Sequence, residues 1–195
     1  MTSASLPTGQ WFVSAEGTSW WFDSGAISLD FAYTGSMGDR PEWELWPSAA
    51  QMSKWFAQRF GVRLRATAAD LTRAKELRDA VAGAVWDAWA GRDLSRSAVA
   101  MIDRHAAELD VPPQLGTQPK PTLDQLLSTL ARDAVVMLRD HPERLRQCAA
   151  GDCQIVYLDS SRSANRTWCS MQRCGNRNKV RQQRARQKSR SKAKE

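Results

Sequence analysis

The sequence predicts a mainly α-helical fold with small β elements, arranged as a helical N-terminal domain over residues 1–140 and a smaller C-terminal module over residues 141–195. Apolar residues recur at helical spacing through much of residues 48–140, which is typical of amphipathic helices. Two of these segments begin with a capping box, the paired side-chain signal of a helix start. All four cysteines lie between Cys148 and Cys174, which sets the second module apart chemically.

The capping boxes locate the two longest predicted helices. Thr67 is followed three residues later by Asp70, and Thr122 by Gln125, so each pair can satisfy free N–H groups of a first turn. The predicted helices cover residues 49–60, 68–90, 96–109 and 123–140. In the third of them, helical spacing is expected to turn Leu109 inward. Residues rich in Gly and Pro predict loops at 34–47 and 110–121.

The N-terminal segment is predicted to contain the β structure. Apolar residues alternate with small or polar ones at Ile27, Leu29, Phe31 and Tyr33. This period of two is typical of a half-buried strand. Residues 11–25 predict one or two further short strands, with turns at Gly17 and Gly25.

The charge of the chain is concentrated at its C-terminal side. The 195 residues carry a formal charge of +7, but residues 162–195 hold twelve basic residues and one acid, a net charge of +11. The other 161 residues hold sixteen basic and twenty acidic groups, a net charge of −4. No uninterrupted apolar run reaches the ~18 residues of a membrane helix, and the first residues do not resemble a secretory signal. We therefore expect a cytoplasmic protein with no membrane partner.

The four cysteines form two pairs with the same spacing. CAAGDC at 148–153 and WCSMQRC at 168–174 each separate two cysteines by four residues, as thiolate ligands of one tetrahedral zinc ion require. The candidate ligands are Cys148, Cys153, Cys169 and Cys174. Strands over QIVYLD at 154–159 and NRTWC at 165–169, followed by a helix, would make a treble-clef-like finger. Because cysteine fills every position, the zinc would be structural. The alternatives are two disulfides, four unrelated thiols or an iron–sulfur cluster.

The basic segment after the second cysteine pair predicts a nucleic-acid contact. If GNRNKVRQQRARQKSRSKAKE is helical, four of its basic residues lie on one face, where an anionic partner would neutralise them. The candidate contacts are Arg162, Arg166, Arg173, Arg177, Lys179, Arg181, Arg184, Arg186 and Lys188. Amide side chains nearby could read base edges. The charges suit DNA and RNA equally, and a merely solubilising tail is the alternative.

The motif CGNR at 174–177 resembles that of the CGNR zinc finger, over residues 145–188. The matching elements are CAAGDC, VYLDSS, TWCSMQRC, CGNR and NKVRQQRAR. Residues 27–138 look like the ABATE domain, on LDF at 29–31, the helix around Trp55 and the order of the helices; relatives typically have Asn near Tyr33. The resemblance implies a bacterial stress-induced transcription regulator with a DNA-binding finger. It also implies that Asp159 and Asn176 make hydrogen bonds around the metal site or within its turns.

We therefore expect a regulator rather than an enzyme, because no phosphate-binding loop, dinucleotide motif or nucleophile elbow is present. DNA is the expected partner and one structural Zn²⁺ is the expected cofactor. The protein is expected to lie in the cytoplasm, in association with the nucleoid. Eight of nine tryptophans lie in the first 89 residues. The interpretations are a hydrophobic core, a pocket for a small-molecule ligand, or an exposed patch for a partner. A homodimer is a further expectation. The alternatives are an RNA-binding protein of the same build and a zinc-scaffolded protein–protein adaptor.

Overall fold

The computed structural model describes residues 7–13, 17–35, 44–112, 115 and 120–192. A 3₁₀ turn over Pro142–Arg144 and a π turn over Met171–Gly175 lie between the longer elements of the C-terminal module. In chain order the strands and helices are β1 (Gln10–Val13), β2 (Ser19–Phe22), α1 (Ile27–Ala32), α2 (Ala49–Phe60), α3 (Ala68–Trp89), α4 (Arg96–Ala106), α5 (Leu123–Asp140), β3 (Leu145–Gln147), β4 (Val156–Leu158) and α6 (Asn176–Lys192).

The helical body is built around α3, which packs against α1, α2, α4 and α5. Both predicted capping boxes are confirmed: the backbone N–H of Asp70 donates to Thr67 Oγ1 at 3.2 Å, and that of Gln125 donates to Thr122 Oγ1 at 3.3 Å. Helix α4 ends three residues earlier than predicted, and Leu109 is 80% exposed rather than turned inward. The predicted inward face of Leu109 is therefore wrong, because the helix that would have oriented it has already ended.

Strands β1 and β2 form an antiparallel hairpin that pairs Trp11 with Trp21 and Phe12 with Trp20. The predicted turn at Gly25 is confirmed, with a φ of +84°. A Cβ at this position would lie 2.1 Å from the carbonyl oxygen of Leu158 in β4. Glycine is thus needed here both for the left-handed backbone and for the close approach of the C-terminal module.

The strand predicted over residues 27–33 is wrong, because these residues form helix α1. The alternation of apolar and polar residues has another cause here. Both intervening polar residues are fully buried and have partners inside the protein: Ser28 Oγ donates to Asp133 at 2.6 Å, and Asp30 accepts from Ser24 Oγ at 2.7 Å. Since every side of α1 is buried, polarity along this segment does not mark a solvent-facing side.

The two predicted domains share one hydrophobic core. Phe31 of α1, Leu77 of α3 and Leu127 of α5 belong to the same cluster of buried side chains as Val156 of β4 and Cys169. Strands β3 and β4 pack against α3. The division at residue 140 stays a prediction, but the packing gives the two segments a common interior.

The hydroxyl of Tyr33, the residue that follows α1, forms hydrogen bonds with the C-terminal module. It donates to the carbonyl of Val156 at 2.7 Å and accepts from the Val156 N–H at 2.8 Å, and all of these groups are buried. Burial raises the pKa of Tyr33 well above 10.0, so the phenol stays protonated and can donate. Both polar groups of one β4 residue depend on this single side chain.

A Tyr33→Phe variant is therefore expected to lower the free energy of unfolding by about 2–3 kcal/mol, because it leaves a buried N–H and a buried C=O unsatisfied. Tyr157→Phe is the matched control, since its hydroxyl makes one bond, to the carbonyl of Arg166 at 2.6 Å. Urea unfolding followed by tryptophan fluorescence measures both. A cost for Tyr33→Phe no larger than for Tyr157→Phe would contradict the bridging role.

Candidate metal centre and basic helix

The four predicted ligands come together in one buried cluster. Cys148 follows β3, Cys153 precedes β4, and Cys169 and Cys174 flank the start of the π turn that leads into α6. All four sulfurs lie within 4.8 Å of one another, and none is in a disulfide. The Sγ atoms of Cys153 and Cys169 are 3.7 Å apart, as are those of Cys169 and Cys174. This is close to the edge of a tetrahedron with ~2.3 Å metal–sulfur bonds, about 3.8 Å, and far from the ~2.05 Å of a disulfide.

Crowding of the thiols sets their ionisation. Hydrogen bonds from Cys153, Cys169 and Cys174 lower the pKa of Cys148. Hydrogen bonding to Cys148, together with burial, raises the pKa of Cys169. Hydrogen bonding to Cys148 raises the pKa of Cys174, but hydrogen bonds from Cys153 and Cys169 outweigh it and lower that pKa to about 7. Thiolates at Cys148 and Cys174 are therefore favoured, and repulsion from their charge opposes ionisation of Cys153 and Cys169. A divalent cation at the centre removes this repulsion, which is the chemistry expected of a four-cysteine zinc site.

Local backbone bonds shape the two turns that carry the ligands. The N–H of Cys148 donates to Ile155 at 2.9 Å, and that of Cys153 donates to Ala150 at 2.8 Å, which closes the first turn. In the second turn the N–H of Cys174 donates to Ser170 at 3.0 Å. A Cβ at Gly175 would lie 2.4 Å from the sulfur of Met171, so the glycine after the last ligand permits this packing. As predicted, Cys174 lies at the start of a helix.

The returning strand predicted over residues 165–169 is wrong. Strand β4 pairs instead with β3, with Leu145 opposite Leu158 and Gln147 opposite Val156. The first cysteine pair therefore lies in the connection of the hairpin. Within residues 165–169 a single backbone bond joins Thr167 to the first turn, from the Ala149 N–H at 3.1 Å. A single backbone hydrogen bond does not make a β-ladder, so these residues do not form a strand.

Asp159 fixes the turn that follows β4. Its carboxylate accepts from the Ser161 N–H at 3.0 Å and from the Arg166 N–H at 2.8 Å. Burial raises the pKa of Asp159, but the hydrogen bonds from Ser161 and Arg166 outweigh burial and leave that pKa below 3.8. Asn176 is exposed at the first residue of α6, and its hydrogen-bonding role stays a prediction.

Two of the predicted nucleic-acid contacts are used inside the protein. The guanidinium of Arg166 lies 4.2 Å from the ring centre of Tyr157 and donates to the carbonyl of Asp23 at 2.8 Å. The guanidinium of Arg173 lies over Trp20, 4.5 Å from the ring centre. Both arginines therefore join the finger to the N-terminal hairpin, through partners more than 100 residues away in sequence. No local pattern could have shown this.

The basic segment forms helix α6, whose residues divide into two groups. Arg177 and Arg181 both pair with Asp152, at 3.0 and 2.9 Å, a partner that sequence reasoning missed. Its signal is an acid inside CAAGDC beside a strongly basic segment. The other predicted contacts with described side chains are exposed and have no ion pair in the described part of the chain: Arg162, Lys179, Arg184 and Arg186. The side chain of Lys188 lies outside the described residues.

The tryptophans contribute mainly to the core. Trp46 and Trp55 are buried and in edge-to-face contact, 5.5 Å between ring centres. Trp11 is 62% exposed, and Trp21 lines a cleft of about 420 Å³ next to the finger. Trp43 lies outside the described residues. The small-molecule ligand and the homodimer stay predictions.

A helical body joined through one core to a four-cysteine finger, with a long basic helix after it, defines a zinc-finger protein with an N-terminal helical domain. Residues 144–187 match the family model of the CGNR zinc finger. Residues 25–141 match the ABATE family, described as "Putative stress-induced transcription regulator". The chain therefore belongs to the ABATE family and carries a CGNR zinc finger.

These matches confirm the resemblance, the mainly α-helical fold class and the structural zinc site. No curated protein matches the chain. Across the described ranges, no helix combines the length and the apolar character needed to cross a membrane.

Proposed function

We propose that the protein is a DNA-binding transcription regulator without enzymatic activity, associated with the nucleoid in a bacterial cytoplasm. The zinc finger presents α6 to the duplex, and the N-terminal domain serves ligand sensing or dimerisation. The observation that carries the proposal is the exposed cationic surface of α6. Lys179, Arg184 and Arg186 project from a helix that starts two residues after the last zinc ligand and contains no acidic residue.

Such a helix is unfavourable by itself, because its like charges repel one another. A polyanion removes the repulsion, and each phosphate that a basic side chain neutralises releases condensed counterions. Zinc gives the helix a defined start, since Cys174 precedes α6 by two residues. The zinc finger thus fixes the position and direction of the basic side chains of α6. A tail that served only solubility would not need a fixed position.

The shape of α6 favours DNA over RNA. It is 17 residues long, or about 25 Å, and a helix of ~10–12 Å diameter fits the ~12 Å major groove of B-DNA. The major groove of A-form RNA is too narrow for side chains to read. Gln182 and Gln183 are exposed on the same helix and can pair with adenine edges.

Replacing Lys179, Arg184 and Arg186 together with glutamine is expected to weaken duplex binding at least tenfold. The slope of log affinity against log salt should fall by about 2–3, since each lost phosphate contact removes about 0.9. The matched control replaces three exposed cations of the N-terminal domain, Lys54, Arg63 and Arg65, with glutamine. It removes the same charge and should change the slope little.

Fluorescence anisotropy of the full chain with a 30-base-pair duplex and with a structured RNA of equal length, at several salt concentrations, measures these effects. Equal losses in the two triple variants would contradict a role for α6. Tighter binding of the RNA would favour the RNA-binding alternative. No binding of either nucleic acid would favour the adaptor.

A further inference from the structure

The start of α6 carries a charged cluster that phosphate binding does not explain. Nη2 of Arg177 donates to Asp152 Oδ1 at 3.0 Å and approaches Cys174 Sγ at 3.6 Å. Nη2 of Arg181, one turn later, donates to the other carboxylate oxygen of Asp152 at 2.9 Å. The guanidinium of Arg177 thus lies between a zinc ligand and a carboxylate, with 36% of the side chain exposed.

The charge of the metal site explains why a cation is needed there. Four thiolates around one divalent ion carry a net charge of −2, and the four sulfurs are buried. Hydrogen bonds to ligating sulfurs lower the energy of that charge and orient the ligands. Nε of Arg177 is also buried, and it has no acceptor among the described residues. The sulfur of Cys174, 3.6 Å from Nη2, brings the charge of the tetrathiolate site close to this guanidinium.

Asp152 places this guanidinium. It belongs to the turn between Cys148 and Cys153, so it connects the first ligand pair with the helix that follows the second pair. Its two oxygens accept from two arginines on the same side of α6. The carboxylate can therefore hold the Arg177 side chain against Cys174 and the first turns of α6 against the knuckle.

We propose that Arg177, the arginine of the CGNR motif, is a positioning residue of the zinc site that stabilises the Cys174 thiolate, and that Asp152 holds it there. Arg177 and Arg181 then share the carboxylate of Asp152, although the Arg181 side chain stays 56% exposed. The phosphate contacts belong to the cations further along α6 that have no ion pair within the described structure. This inference rests on the metal site alone. It goes beyond the proposed function and holds whether or not the protein binds DNA.

The test compares Arg177→Gln with Arg184→Gln in the full chain. Both remove one charge from α6, but Arg184 touches neither the sulfurs nor Asp152 in the described structure. Competition for zinc with a chromogenic chelator measures the zinc affinity of each variant. Arg177→Gln is expected to bind zinc about tenfold more weakly than wild type. Arg184→Gln should stay within twofold of wild type. An Arg177→Gln affinity within twofold of Arg184→Gln would overturn the proposal.

Two further variants keep the test decisive if Arg177→Gln does not fold. Arg177→Lys keeps the positive charge but replaces the planar, rigid guanidinium with a flexible ammonium, so its zinc affinity should lie between wild type and the expected value for Arg177→Gln. Asp152→Asn should lower zinc affinity while leaving every cation in place. Unchanged zinc affinity in both would overturn the proposal. Duplex binding of zinc-saturated protein separates the two ideas, because there Arg184→Gln should weaken binding more than Arg177→Gln.

Discussion

A Cys169→Ser variant is expected to lose the zinc and, with it, the folded state of the helical body as well as the finger. Zinc contributes about 10–16 kcal/mol to the folding of isolated finger peptides, whereas a whole domain is stable by only about 5–15 kcal/mol. Cys169 is fully buried and belongs to the same core as Phe22, Leu29 and Val85. Loss of the finger therefore exposes apolar surface of the body.

Circular dichroism at 222 nm and tryptophan fluorescence, recorded during thermal unfolding, measure this effect alongside zinc content. Chelation of the wild-type protein should reproduce it, and added zinc should reverse the chelation but not rescue the variant. A metal-free body that melts at the wild-type temperature would contradict the shared core. It would indicate two units that fold independently.

An Asp30→Ala variant is expected to lower the free energy of unfolding at pH 7 by about 3–5 kcal/mol, the usual cost of removing one partner of a buried ion pair. Asp30 is fully buried, and it accepts from the Gly9 N–H and from Ser24 Oγ, both at 2.7 Å, as well as pairing with Arg59. The side chain of Arg59 is only 12% exposed and would be left without its carboxylate.

Denaturant unfolding measures this cost, with Asp87→Ala as the matched control. Asp87 also pairs with an arginine, Arg92 at 2.9 Å, but that arginine is 59% exposed. An exposed pair contributes about 0–1 kcal/mol. A cost for Asp30→Ala no larger than that for Asp87→Ala would show that the buried pair does not hold the hairpin, α1 and α2 together.

The difference in unfolding free energy between wild type and Asp30→Ala is also expected to depend on pH, and the pKa of Asp30 fixes the direction. Burial raises the pKa of Asp30 from 3.8 to about 6, against the opposing effects of Arg59 and Ser24. Between these two values the folded chain binds the proton more tightly than the unfolded chain, so the contribution of this group to stability falls as pH rises. The stability difference between wild type and Asp30→Ala should therefore shrink by about 2 kcal/mol from pH 4 to pH 6.5. A difference that grows with pH would contradict the raised pKa.

The features that could be predicted from sequence are those whose partners are close along the chain. Capping boxes join residues three apart, and both appear as predicted at Thr67 and Thr122. Each cysteine pair spans six residues, and all four predicted ligands meet. The alternation of apolar and polar residues at 27–33 led to a wrong prediction of a strand, because that interpretation assumes that the polar residues face solvent. At Ser28 and Asp30 they face buried partners instead.

By itself, the sequence determined the four longer helices of the N-terminal domain, the cysteine ligands and the helical basic segment, because local hydrogen bonding and short-range spacing specify them. Only the tertiary structure decided which charges remain available to a partner. Arg166 reaches Asp23, 143 residues away, and Tyr33 reaches Val156, 123 residues away. Arg177 and Arg181 both form ion pairs with Asp152. A charge counted in the sequence is free or paired only once the fold has brought its partners within hydrogen-bonding distance, and that depends on packing between distant segments.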